Sequence, residues 1–315
     1  MRVLVTRPLT GDVLAEIARR FDATLRDADR PLTRDEAARA LGDYDAILPT
    51  LGDDFSAAAF GGPIRARLLA NFGVGYNHID VAAARAAGVA VTNTPGAVTE
   101  ATADIALMLM LMSARRASEG ERLLRAGGWT GWAPTQLLGM HLGGRMLGVV
   151  GMGRIGRAIA RRAHHGLGMR VTFFNRSPVA DPGVPARQVA ALSDLLSGAD
   201  VVVIAVPGGP GTRHLIGAAE LAAMPPHAHL INIARGDVVD EAALIDALAA
   251  RRIAGAGLDV YEREPAVPAA LRALENVTLL PHLGTNAHEV RAAMGRMALE
   301  NLIAHAEGRA LPNPV

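Results

Sequence analysis

The chain has 315 residues, half of them hydrophobic and a fifth charged, a composition that fits a folded globular protein of about two domains and excludes disorder. It has no Cys, and all 32 of its basic residues are Arg, so thiol nucleophiles, disulfides, thiolate metal sites, Schiff-base lysines and a P-loop lysine are ruled out. The net charge of +1 gives no field directed at nucleic acid or at a membrane, and the longest apolar run, Ile105 to Met112, is too short to span a bilayer.

The chain opens on Met1-Arg2-Val3-Leu4-Val5-Thr6, which reads as a strand. It lacks the apolar core and small-residue cleavage site of a secretory leader, so a cytoplasmic protein is expected. Strands follow at Ala46–Pro49, Leu69–Phe72 and Val89–Thr92, with helical spacing between them, as in Val13, Ile17 and Phe21. After the turn cluster Asn93-Thr94-Pro95-Gly96, one long helix is expected from Thr99 to about Ala126, apolar enough on all sides to be buried. A second series has strands at Met146–Val150, Arg170–Phe174, Asp200–Val206, His229–Ile233, Gly255–Leu258 and Val277–Leu280, followed by a helix from Ala287 to about His305. The alternation is that of an α/β protein with parallel, doubly wound sheets, and six strands make a complete dinucleotide-binding fold. A dinucleotide-binding domain is therefore expected at 99–283, with a substrate-binding domain formed by 1–98 and 284–315.

Gly151-Met152-Gly153-Arg154-Ile155-Gly156 is a G-x-G-x-x-G between a strand and a helix, the context that gives this pattern meaning. Gly151 permits the tight turn, Gly153 lets the backbone approach a pyrophosphate, and Gly156 lets helix and strand pack closely. The helix N-terminus adds unpaired N–H groups and a positive dipole end. Where an NAD site carries an acid at the end of the next strand, this chain has Asn175-Arg176-Ser177. Nothing there repels a 2′-phosphate and Arg176 can pair with one, so NADP(H) is expected in preference to NAD(H).

Three ionisable groups stand after later strands: Arg235 in Arg235-Gly236-Asp237, an acid in Asp259-Val260-Tyr261-Glu262-Arg263-Glu264-Pro265, and His282 in Pro281-His282-Leu283-Gly284. In doubly wound sheets ligands bind at those carboxyl ends. A carbonyl receiving hydride needs a general acid, a role that suits His; a carboxylate can orient the ring, and an Arg can clamp a substrate carboxylate. The set fits reduction of a 2-oxo acid without a metal. Spacing does not separate Glu262 from Glu264.

These stretches, with Asn71-Phe72-Gly73-Val74-Gly75-Tyr76-Asn77-His78-Ile79-Asp80 and Asn93 to Asp104, resemble the D-isomer-specific 2-hydroxyacid dehydrogenases, and most of all their glyoxylate/hydroxypyruvate reductase branch. The resemblance implies a Rossmann dinucleotide-binding domain inserted into a flavodoxin-like substrate domain. It implies that Arg235 binds the substrate carboxylate, that Glu264 rather than Glu262 supports the histidine, and that His282 is the acid/base. It further implies that amides around Val74 and Gly75 grip the carboxylate with Leu51-Gly52 nearby, and that Val206, Pro207, Ile233, Ala234, Asp259 and Gly284 join the glycine loop in lining the cofactor. A homodimer through the nucleotide domains is implied, with Trp132 reaching the partner's site. An NAD-linked 2-hydroxyacid or phosphoglycerate dehydrogenase is the rival enzyme, and a non-catalytic dinucleotide sensor is the rival of another class. Asn77 stands where the family often has Asp, and Pro207-Gly208-Gly209-Pro210-Gly211 replaces the more usual Pro-Leu segment.

Overall fold

A computed structural model describes residues 1–315. The chain forms two compact units, one of residues 1–98 and 285–315 and the other of residues 99–284.

The first unit is a parallel sheet of β1 (Arg2–Val5), β2 (Asp22–Leu25), β3 (Ala46–Leu48), β4 (Leu68–Ala70) and β5 (Ala90–Thr92), ordered β2-β1-β3-β4-β5. That is the flavodoxin-like order. Helices Gly11–Arg20 and Arg34–Asp43 connect the first strands; the second begins with a capping box between Thr33 and Glu36. The C-terminal helix His288–Ala306 packs on β4 and on the helix Gly11–Arg20, where Gly295 lies so close to Val13 that a Cβ would meet its methyls at 2.9 Å. Strand β2 has no counterpart in the sequence reading. It is an edge strand, Asp-Ala-Thr-Leu, largely exposed, and an edge needs no apolar run.

The second unit is a parallel sheet of β6 (Met146–Val150), β7 (Arg170–Phe174), β8 (Ala186–Val189), β9 (Val201–Ile204), β10 (His229–Asn232), β11 (Gly255–Leu258) and β12 (Val277–Leu279). The order β12-β11-β10-β9-β6-β7-β8 is that of a Rossmann domain with one added strand, and the winding reverses between β6 and β9. The strand that the sequence reading lacks is β8, Ala-Arg-Gln-Val at one edge, which pairs with β7 although its sequence alternates too weakly to be read, whereas the strand added to the Rossmann order is β12 at the other edge. Two apolar layers, one on each face, hold the sheet.

The long helix expected over 99–126 is two helices, Thr99–Ala114 and Ala117–Arg125. The Ala114 carbonyl accepts from the Met140 N–H at 2.8 Å instead of continuing the helical ladder, and Arg116 turns left-handed with φ 53°. The first helix packs on the helix Arg154–Leu167 and on β10 and β11, but it is not buried all round: Met108 and Leu111 stay more than a third exposed. No helix is long and apolar enough to cross a membrane.

Candidate active site

Register brings the strand ends of the second unit level: Val150, Ile204, Asn232, Leu258 and Leu279 lie in one row across β6, β9, β10, β11 and β12. The residues just beyond that row form the edge where ligands bind in such sheets.

At the switch point between β6 and β9 the glycine loop shows three different reasons for glycine. Gly151 has φ 98°, and a Cβ there would meet the Ala205 carbonyl and Val206 at 2.8 Å. A Cβ on Gly156 would fall 2.1 Å from the Gly151 carbonyl, so helix and loop touch there. Gly153 faces open space, with nothing within 4 Å of a Cβ. It caps the helix Arg154–Leu167 without a side chain, leaving the first N–H groups of the helix, at Arg154, Ile155 and Gly156, unpaired. Open approach and free N–H groups are what a pyrophosphate requires, so the loop fits a dinucleotide.

At the end of β7, Asn175 braces the loop: its Oδ1 accepts from the Met152 N–H at 3.3 Å and its Nδ2 donates to the Ser177 carbonyl at 2.9 Å. Gln188 of β8 ties the same turn by donating to the carbonyls of Asn175 and Ser177. Arg176 is exposed, lies near Gly211, and makes neither a hydrogen bond nor an ion pair. The free cation at this strand end therefore stands unneutralised.

The catalytic candidates occupy the other half of the edge. Beyond β10, Asn232 is buried, accepts from the Ala234 N–H at 3.0 Å and donates to the Arg235 carbonyl at 2.9 Å, bending the chain so that Arg235 leaves the sheet. Gly236 follows, and a Cβ on it would overlap the Tyr261 carbonyl carbon at 1.8 Å. Glycine is thus what lets the loop after β10 lie against the loop after β11. The Arg235 guanidinium donates only to its neighbour's carbonyl, Ala234 O, at 2.6 Å; its Nε is enclosed with no partner. Burial pulls this Arg below its usual pKa, while Glu264 and Asp237 oppose the shift.

Beyond β12, His282 has a left-handed backbone, φ 55°, unusual for a residue with a side chain. Asp259, at the end of β11, imposes that turn. Its backbone carbonyl accepts from the His282 N–H at 2.9 Å, and its carboxylate from Leu283 N–H at 2.6 Å and Gly284 N–H at 2.8 Å. Thr102 donates to the Gly284 carbonyl at 3.0 Å. Burial pushes the Asp259 carboxyl up, while those N–H donors pull it down. Four hydrogen bonds hold a conformation that a lone residue would leave.

His282 Nδ1 lies 2.7 Å from Glu264 Oε2, and the other Glu264 oxygen accepts from the Tyr261 N–H at 3.0 Å. Burial pushes the Glu264 carboxyl up, but the bond to His282 and its charge, the Tyr261 N–H and Arg235 outweigh it and hold the group below the ordinary carboxylate range. An ionised carboxylate only accepts, so Nδ1 carries the proton of this hydrogen bond, and Nε2 makes no hydrogen bond of its own. Glu262 is spent elsewhere, accepting from Arg213 at 3.3 Å and pairing with His214 at 3.1 Å. Geometry thus separates the two acids that spacing left open.

The structure therefore brings Arg235, Glu264 and His282 onto adjoining loops of one sheet edge, with the glycine loop and the ends of β9 and β10 (Val206, Pro207, Ile233, Ala234) along the same edge. Asn232, Gly236 and the Tyr261 amide brace the loops of the candidate site, and sequence reasoning missed them. Only the Arg-Gly pair beside a strand end hinted at them.

The first unit has an edge of its own, after β1, β3, β4 and β5. Asn71 donates to the carbonyls of Gly73 and Gly75 at 3.0 and 3.1 Å, Asn93 to that of Val74 at 2.9 Å, and the Thr94 N–H to that of Gly73 at 3.1 Å. With their carbonyls tied back, the N–H groups of Val74 and Gly75 have no partner within the chain, and the same holds for Leu51 and Gly52. Trp132 is 82% exposed, in a segment that also leaves Trp129 and Leu138 uncovered.

Residues 107–284 match the family model described as D-isomer specific 2-hydroxyacid dehydrogenase, NAD binding domain. A glyoxylate reductase of Korarchaeum cryptofilum is 42% identical over all of this chain and 95% of its own length, and one of Thermococcus gammatolerans is 39% identical over the same shares. Among solved structures, a protein of Thermus thermophilus superposes with a TM-score of 0.93 at 41% identity, each chain fully covered. An NADPH-dependent glyoxylate/hydroxypyruvate reductase of Sinorhizobium meliloti, solved with NADP and malonate, gives 0.88 at 35% identity, covering this chain fully and 96% of its own.

Proposed function

The chain belongs to the D-isomer-specific 2-hydroxyacid dehydrogenases, in the glyoxylate reductase branch, and from that premise we propose that it reduces small 2-oxo acids, glyoxylate and hydroxypyruvate, with NADPH. The observation that carries the reading is the 2.7 Å pair of Glu264 with His282, on the same edge as an Arg235 guanidinium that has a buried N–H to spare.

The glycine loop, the helix N-terminus at Arg154 and Ile155, and the ends of β9 and β10 hold the dinucleotide, and Arg176 with Ser177 receives a 2′-phosphate. The bound dihydronicotinamide supplies the hydride. Arg235 holds the substrate carboxylate. In the first unit, the unpaired N–H groups of Val74, Gly75, Leu51 and Gly52 are themselves suited to a carboxylate. As C2 is reduced its oxygen gains negative charge, and His282 Nε2 delivers the proton. Glu264 fixes the ring and stabilises the imidazolium before transfer. Asp259 acts through the backbone of 282–284, and its side chain is already spent on two N–H groups. The uncovered Met108, Leu111, Leu124, Trp129, Trp132 and Leu138 supply apolar surface for a homodimer through the second unit.

The test is a panel of glyoxylate, hydroxypyruvate, pyruvate and 2-ketogluconate assayed with NADPH and NADH. Turnover of the first two with NADPH is expected. Tight dinucleotide binding with no turnover of any 2-oxo acid overturns the reading.

A further inference from the structure

Glu264 stands in an exposed segment, Arg263 to Ala266, whose only backbone hydrogen bond, from the Ala266 N–H to the Arg263 carbonyl at 2.8 Å, lies inside the segment itself. Its place is inherited from the ends of the loop. At the far end Val267 packs against the apolar layer, a contact without direction. At the near end the bonds are directional. The Tyr261 hydroxyl donates to the Leu280 carbonyl at 2.8 Å, and the Glu262 N–H donates to Glu241 Oε2 at 3.4 Å. The Glu262 carboxylate takes His214 Nε2 at 3.1 Å and Arg213 Nη2 at 3.3 Å on one oxygen. A carboxylate only accepts, so Nε2 is the donor.

His214 follows β9 and has a left-handed backbone, φ 48°, which glycine adopts freely and a residue with a Cβ holds at a cost. Its N–H donates to the Asp237 carbonyl at 2.8 Å, and the Ile216 N–H to the Val238 carbonyl at 3.1 Å. Backbone bonds therefore fasten the loop after β9 to the loop of Arg235, whatever side chain residue 214 carries. The loop of Glu264 is reached by the imidazole alone. A side chain retained where glycine would be unstrained points to what that side chain does.

We propose that His214 is a positioning residue for proton transfer: through Glu262 it steadies the loop that carries Glu264, and so the pair of Glu264 with His282. The inference rests on the reading above, in which that pair delivers the proton. Arg213, more exposed and at the longer distance, contributes less. Because Arg235 is held by backbone bonds that do not involve the imidazole, loss of the imidazole acts on kcat and spares KM for the 2-oxo acid.

The experiment measures kcat and KM for glyoxylate with NADPH, and the thermal midpoint, in the unaltered protein and in His214→Gly, His214→Gln, Glu262→Ala and the double variant His214→Gly/Glu262→Ala. In His214→Gly kcat is expected to fall about three- to tenfold, the lower end for a hydrogen bond to a charged group that is partly exposed, with KM unchanged. Its midpoint holds, since relief of the left-handed strain offsets the added freedom of the unfolded chain. His214→Gln keeps a side-chain N–H donor and recovers part of kcat. Glu262→Ala loses as much as His214→Gly, and carries the test if His214→Gly does not fold. The double variant loses no more than the worse single one. An unchanged kcat, a rise in KM parallel to the fall in kcat, or losses that multiply in the double variant overturn the role while the proposed reaction stands. If the unaltered protein turns over no 2-oxo acid, the proposed reaction fails and this inference with it.

Discussion

His229 sits at the start of β10, 6% exposed, with Nδ1 at 2.8 Å from the Ser113 hydroxyl. Burial, with a smaller contribution from the charge of His227, lowers its pKa from 6.5 to about 4. The unfolded chain therefore binds a proton that the folded chain refuses, and stability falls as pH drops from the unfolded value toward the folded one. A shift of that size corresponds to roughly 3 kcal/mol in full, of which about 2 kcal/mol is already lost at pH 5. Below about pH 4 both states are protonated and this contribution stays lost. The assay is urea denaturation at pH 7.5 and pH 5, with and without His229→Asn. The variant is less stable at pH 7.5, but its loss between the two pH values is smaller than that of the unaltered chain by about 2 kcal/mol. His305, which burial also lowers, is present in both proteins and cancels in the difference. Equal pH slopes in the two proteins would refute the claim that His229 is buried neutral.

The glycine loop separates folding from binding. Gly153→Ala meets only open space and is expected to keep the thermal midpoint while raising KM for the dinucleotide, whereas Gly156→Ala, 2.1 Å from a carbonyl, lowers the midpoint by several degrees; differential scanning fluorimetry beside cofactor titration distinguishes them. His282→Asn should lower kcat by about 10²–10⁴ with little change in KM, read from steady-state reduction of glyoxylate. Arg235→Gln should mainly raise KM for the 2-oxo acid, by about 10–150-fold. Arg176→Ala should lower kcat/KM with NADPH by a similar factor and leave NADH nearly untouched; equal losses with both cofactors would count against a phosphate contact.

Much of the architecture can be read from the chain by itself, because burial on both faces of a parallel sheet leaves continuous Val/Ile/Leu runs. β6, β9 and β10 are visible for that reason, and so is the glycine loop that follows β6. β2 and β8 are not, since edge strands carry no such signature. The break at Arg116 is invisible too, because a remote residue, Met140, takes the Ala114 carbonyl.

Arg235, Glu264 and His282 announce themselves by residue type and by position after strands. What a linear pattern cannot hold is the choice between two acids two residues apart, which depends on Glu262 being claimed by Arg213 and His214. Nor can it show that Gly236 is needed because a loop from another strand lies against it, or that Asp259 is turned inward to lock the histidine's backbone. Local propensity and periodicity act within a few residues and are written in order along the chain. The site's final geometry comes from hydrogen bonds and close packing between segments tens of residues apart, and those contacts exist only once the sheet has set its register.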